Sequence, residues 1–252
     1  MRKIRRRSEK LIAELKALRE SRGKLDDFGV SFLFNFYYHC SIAHTFDPEK
    51  DSELSQMVLR QYHVFLVSCW ETFFRDVFVY VNTTDEESMD NILGRLKPSS
   101  DTFQGDGADL AELLSKSFNF QNLEDLNEAY DGMWGSTFLE YICNKDIGRC
   151  GVGGNAYNHF SIKDALPYWL EIIERAFSIR HQVVHDANCR VAVDLDEMQK
   201  TEFLFLILPQ VANILIADRF KDSLPEDSKD ESWVPAIVTT AEILGKWQKV
   251  ED

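Results

Sequence analysis

The stretch Arg180-His181-Gln182-Val183-Val184-His185 ends an apolar stripe that begins at Leu166 and runs through Leu170, Ile173 and Phe177 at helical spacing. The next positions on that face are Arg180, His181 and Val184, so a helix with an apolar inner side turns to charge at its end. An arginine on a buried face is costly without a partner. Either a carboxylate waits for it, or the face opens onto something anionic.

Working outward, the rest of the 252 residues supports a mostly helical chain with a sizeable core. Hydrophobic residues make up 44%, Phe occurs 18 times, and Gly (12) and Pro (6) are few. The formal charge of -14 argues against broad, non-specific nucleic-acid binding, which needs a basic surface. Residues 1–24 depart from that average, with ten Lys or Arg against three Glu, so a basic arm precedes an acidic body. The arm suits an RNA backbone, or equally a solvated helix leaning on its own acidic body.

Five scattered cysteines (Cys40, Cys69, Cys143, Cys150, Cys189) without a Cys-x-x-Cys pair suggest a reducing compartment. The basic start has no apolar run of the signal-peptide kind, since Leu11, Leu15 and Leu18 alternate with charge. The most apolar segment, Phe203 to Ala217, is shorter than the ~17–25 residues of a membrane span. These features lead to the expectation of a cytoplasmic protein with no membrane association.

Three regions are expected along the chain: a basic N-terminal helix or arm over 1–24, a helical domain over 25–220, and an acidic linker with a short terminal helix over 221–252. Ile4 to Arg19 reads as an amphipathic helix ended by Gly23. Val30 to Phe46 is dense in aromatics and fits a buried helix or a strand. A start signal at Asp51 or Ser52 opens a long helix to about Val81, whose apolar face includes Tyr62, Leu66, Trp70, Phe73 and Val77. Glu71 and Arg75 flank that face at i and i+4, the spacing of a surface ion pair.

Residues 82–160 read as an insertion, with short helices over Ala108–Lys116, Leu123–Tyr130 and Thr137–Cys143 between loops. Gly151-Val152-Gly153-Gly154 lacks the Gly-Lys-Ser/Thr ending of a phosphate loop. Ser161 with Asp164 forms a helix cap, with Pro167 early in the helix that carries the motif. Asp194 starts another apolar helix containing Pro209, and Val234 to Val250 reads as a terminal helix.

Cleaving RNA without a metal requires a base for the ribose 2'-hydroxyl, an acid for the leaving 5'-oxygen, and positive charge on the phosphoryl oxygens. Histidine and arginine supply these. His181 and His185 share a helix face, but Arg180 and His185 are five apart, so their tips converge if the helix ends there or if a second copy completes the site. No cofactor or metal is expected. Cys143, Cys150 and His159 are too far apart in sequence to make an evident zinc set and lack a clear fourth ligand. His39, His44, His63 and His159 read as ordinary histidines, and the aromatics from Phe32 to Tyr38 read as core.

Together, Arg180, His181 and His185 resemble the Arg-x-x-x-x-His motif of the HEPN superfamily, in which a polar residue follows the arginine. Cys69-Trp70-Glu71-Thr72-Phe73-Phe74-Arg75-Asp76 is similar to that family's earlier helix with its acidic residue. Ser117-Phe118-Asn119-Phe120-Gln121-Asn122, with Leu126 and Phe138, is similar to the inserted region of the RiboL-PSP-type and related branches. The resemblance covers about residues 50–217 and implies an all-α, HEPN-like helical bundle with an inserted region of short helices and loops. It further implies metal-independent endoribonuclease activity, two motifs facing across a homodimer cleft, RNA as substrate, and an antitoxin or defence-system partner protein. The implied roles are proton transfer for His185, charge stabilisation for Arg180, and support from His181 and Glu71. One departure is that Ala187 stands where some HEPN toxins carry a tyrosine modified by an antitoxin.

A second reading belongs to another class. The motif then serves packing, with Glu71 neutralising Arg180, and the chain is a non-catalytic dimerisation or adaptor module that binds a protein partner. The acidic charge favours it.

Overall fold

In this computed structural model the described residues are 17, 25–45, 52–96, 107–131, 137–150, 156–186, 188, 190–220 and 235–240. The N-terminal arm, apart from Ala17, and most of the expected C-terminal helix lie outside them. The central element follows from the period of its apolar residues. Tyr62, Leu66, Trp70, Phe73, Phe74, Val77, Phe78 and Val81 recur every three or four positions, and all are buried along the 33-residue helix α2 (Ser52–Thr84). The aromatic segment before it is also helical, as α1 (Leu25–Thr45), and lays Phe32, Phe36, Cys40 and Ala43 on α2.

Two further long helices complete the bundle around α2. These are α8 (Trp169–His185) and α9 (Leu195–Phe220). By length and apolarity α9 could cross a membrane, but most of its side chains from Met198 to Ala217 are buried in this core, which accounts for that composition. Asp194 caps it, accepting from the Glu197 N–H at 2.6 Å. Trp70 sits at the junction with no exposure, its ring 4.6 Å from Phe74, 4.8 Å from Phe205 of α9 and 6.1 Å from Phe177 of α8.

The segment between α2 and α8 closes a flank of α2. It contains α3 (Glu86–Leu96), α4 (Gly107–Ser115), α5 (Leu123–Tyr130) and α6 (Phe138–Asn144). Its Phe118, Phe120, Tyr130 and Phe138 bury against Phe74 and Phe78, and the Tyr130 hydroxyl donates to the Phe74 carbonyl. The helix α3 was not expected in the acidic run after Asn82. Its signal is nonetheless regular: Asp85 accepts from Ser88 at the start, and Met89, Ile92 and Leu96 make a buried stripe.

The fold is all-α as expected, with one small sheet, ordered β2-β1-β3, beside the helices. Strands β1 (Asp146–Cys150) and β2 (Ala156–Ser161) pair antiparallel in what the sequence reads as loop. Between Ile147 and Arg149 the partner strand carries an extra residue, and there Asn158 takes φ 51°, a left-handed backbone that asparagine tolerates. Strand β3 (Ala236–Ile237) lies parallel to β1, so this part of the expected terminal helix is strand. Its backbone is held on α9 by Gln210, whose side chain donates to the Val238 carbonyl and accepts from the Val238 N–H, both at 2.9 Å.

The helix expected to run from Ser161 through the motif is two helices. Ser161 does cap, accepting from the Asp164 N–H at 3.0 Å, but it starts only α7 (Ile162–Ala165). Pro167 forces the break, because a proline drives the preceding residue out of helical conformation, and Leu166 has φ -135° and ψ 80°.

Truncating Trp70 to alanine leaves a void where α2, α8 and α9 meet and strips the Phe120 carbonyl of its donor. We expect a loss of ~3–5 kcal/mol in urea unfolding. Tyr168→Ala, on a residue 72% exposed, should change stability by no more than ~0.5 kcal/mol.

Candidate functional site

The side chains of the Arg180 region are placed by the apolar residues just before them. Ile173, Ala176 and Ile179 of α8 are fully buried, which turns Arg180 half inward and leaves His181 and His185 exposed. The rings of His181 and His185 stand 4.7 Å apart at an interplanar angle of 47°. His185 is the last residue of α8, and Asp186 leaves the helix after its N–H bonds the Gln182 carbonyl. Arg180 and His185 both lie within the helix, five positions apart, and the chain leaves it directly after His185.

That end is held by the chain that follows. The connection to α9 doubles back along α8, so that Arg175 reaches the Ala192 carbonyl and pairs with Glu197 at 2.7 Å. Gln56 of α2 clamps the same connection from the other side, donating to the Val193 carbonyl at 2.6 Å and accepting from the Val193 N–H at 3.0 Å. Arg60 donates to the Val191 carbonyl. Backbone groups that would otherwise hang in solvent are thus bonded to α2, and the last turn of α8 is fixed relative to it.

Glu71 follows Trp70, whose ring meets Phe177 of α8 three residues before Arg180. Glu71 is not paired with Arg180, however. One of its oxygens takes the Arg75 guanidinium at 2.5 Å and the other takes the Gln121 amide. The Arg75 guanidinium in turn lies over the Phe120 ring, 5.7 Å from its centroid. Glu71 is thus neutralised within its own helix and braced by the inserted segment.

Gln121 is the member of this group that sequence reasoning did not single out. Its signal lies in the alternation of Phe118-Asn119-Phe120-Gln121. Both phenylalanines are buried, Trp70 donates to the Phe120 carbonyl at 3.1 Å, and the intervening polar residues must then point the other way. Asn119 accepts from the Gln121 N–H, and its own N–H bonds Asp125, whose N–H is capped by Asn122. The loop therefore arrives at Glu71 in one conformation.

Among the described residues Arg180 has neither a hydrogen bond nor an ion pair, and its Nε is buried without a partner. Asp186, just beyond the end of the helix, accepts from the Asn188 N–H instead. A half-buried guanidinium left this way favours an incoming anion, with its fork matched to phosphate or carboxylate. Cys69, beside Trp70, has its thiol pushed up to about 12 by burial, and Cys143 likewise, so both stay protonated.

The sequence profile of the RiboL-PSP-HEPN family matches residues 41–218, most of the chain and the whole stretch that the motif resemblance covers. No curated protein and no solved structure gives a significant match. By this match over most of its length the chain belongs to the RiboL-PSP-HEPN family and is a helical module of HEPN type, nuclease-like or RNA-related in character.

Proposed function

We propose that the chain is a metal-independent endoribonuclease whose half-site is Arg180 and His185, with His181 and Glu71 in support. The observation that carries the reading is the half-buried Arg180 guanidinium near the end of α8, unpaired among the described residues, followed on the same helix by two exposed imidazoles, in a chain of HEPN type. His185 transfers the proton. The ribose 2'-oxygen, relieved of its hydrogen, bonds to phosphorus, the bond from phosphorus to the 5'-oxygen breaks, and a second imidazole returns a proton to the departing oxygen. A cyclic phosphate remains upstream. Arg180 takes the growing negative charge on the phosphoryl oxygens.

His181, its ring against that of His185, supports the site from the preceding turn. Glu71 acts at one remove, as a positioning residue that ties α2 to the loop at Gln121. One chain offers one arginine and two neighbouring imidazoles on a single helix, which favours a homodimer with two such helix ends facing across a cleft. A toxin–antitoxin or phage-defence role, with a protein partner that restrains cleavage, fits an activity that would otherwise harm its own cell. The net charge of -14 favours the other reading, an adaptor that binds a protein partner. The two readings diverge on whether RNA is cut.

Arg180→Ala and His185→Ala should each lower cleavage of a mixed RNA pool by at least ~10²-fold, with circular dichroism and oligomer mass unchanged. Cleavage retained by both variants, or absent from the parent chain at high concentration, leaves the adaptor reading. Wild-type cleavage should persist in excess EDTA at 25 °C and leave a cyclic phosphate on the upstream product; dependence on added Mg²⁺ would contradict the mechanism.

A further inference from the structure

A second polar cluster lies at the edge of the core, where α1, α2 and α9 meet, with Cys40 and Glu202 buried and His44 exposed. Cys40 and His44 stand at i and i+4 on α1, so both point from one face toward α9. Glu202 of α9 is 4% exposed, and one of its oxygens accepts from the Tyr62 hydroxyl at 2.9 Å and bonds His44 Nε2 at 2.9 Å. Cys40 is fully buried beside both Glu202 and Tyr62. The sulfur, the imidazole nitrogen and a carboxylate oxygen all lie within 4.8 Å of one another.

As a neutral group the Cys40 thiol meets the Glu202 carboxylate only as a hydrogen-bond partner, and burial together with Glu202 pushes it up to about 12. A divalent cation reverses the sign of the arrangement, because it needs thiolate and carboxylate together. Tetrahedral bonds of the zinc class place ligand atoms ~3.3–3.8 Å apart, so the His44 nitrogen and the Glu202 oxygen, now 2.9 Å apart, part by a few tenths of an ångström, roughly, while the sulfur draws in by up to about 1.5 Å.

A second observation points to the same place. A cavity of about 210 Å³ opens beside the cluster, lined by His44 itself, Ser55, Leu59, Met198 and Gln199. Met198 lies one helical turn before Glu202, and Leu59 about one turn before Tyr62. Ser55 is nine-tenths buried, and its hydroxyl has no partner among the described residues. The cavity thus has room for water and a hydroxyl with which to hold it.

We propose that Cys40, His44 and Glu202 are the protein ligands of a site for a thiophilic divalent cation of the zinc class, with water from the cavity as the fourth ligand. Three protein ligands and an open position match the donor types that zinc takes. Tyr62 orients the carboxylate as an outer partner. On binding, the Cys40 thiol proton, and that of His44 where it is charged, pass to solvent, so the affinity falls as the pH falls. The ion joins α1 to α9 on a face of the bundle built by different residues from those of the Arg180 site.

Co²⁺ added to the full-length chain tests this directly. We expect a thiolate-to-cobalt charge-transfer band and intense visible bands of a four-coordinate ion, saturating at one equivalent and bleached by Zn²⁺. Cys40→Ser should lose the charge-transfer band and Cys69→Ser should keep it. Loss of an outer partner alone weakens such sites ~10–100-fold, so His44→Gln, at an exposed position that tolerates the change, should weaken Zn²⁺ binding more than about tenfold. Zn²⁺ should raise the melting temperature of the parent chain and not that of His44→Gln. No band with the parent chain, a band that survives Cys40→Ser, or equal Zn²⁺ binding by His44→Gln overturns the assignment, and the last of these decides the matter if Cys40→Ser does not fold.

Discussion

The rest of the structure depends on the burial of one large side chain. Trp70 is enclosed by α2, α8 and α9, and its single polar atom must find an acceptor in an apolar place. It finds the Phe120 carbonyl, which brings the inserted segment against α2. Because Phe120 and Phe118 are buried, the polar residues between and after them have little freedom, and Gln121 meets Glu71. One indole thereby fixes the distance between three helices and the approach of a loop that is fifty residues away in sequence.

Charge placement follows from that frame. A carboxylate and a guanidinium on one helix, Glu71 and Arg75, cancel each other over the Phe120 ring, while the guanidinium of the neighbouring helix is left to itself. Had Glu71 turned to Arg180, the result would be a closed ion pair with little to offer a ligand. The α1–α9 junction handles its polar groups differently. There the groups are drawn together on one carboxylate oxygen, and the neighbouring hydroxyl of Ser55 is left without a partner among the described residues.

Much of the fold is legible in the sequence because the long helices carry strong periodicity. The start of α2 at Ser52, the start of α9 after Asp194 and the short helix Leu123–Tyr130 all lie close to where caps and apolar spacing put them. The sheet is not legible. Its strands hold Gly148, Asn158 and a two-residue pairing, and none of these makes an alternating pattern. The break at Leu166 was written in Pro167, whose effect falls on the residue before it. For the site, residue types and spacing pointed to Arg180, His181 and His185, and Glu71 could be picked out as a charge beside an apolar face. The partner of Glu71 could not, since Gln121 reaches it only after two phenylalanines are buried. The cluster of Cys40, His44 and Glu202 was hidden for the same reason. An i, i+4 pair of Cys and His is common, and only the tertiary fold brings a carboxylate to it from more than 150 residues away.

The Gln210 amide on the Val238 backbone bears on the order in which the chain assembles. A two-residue parallel strand cannot hold itself, and β3 joins β1 from almost ninety positions further along the sequence. It can pair only when β1 already lies in the hairpin and α9 already presents its amide. The contact therefore closes late in folding and, having few bonds of its own, is among the first to open in the native state. Backbone amides at residues 236–238 should exchange with solvent ahead of those of α9, and the edge of β1 would then be uncovered while the bundle around Trp70 remains closed.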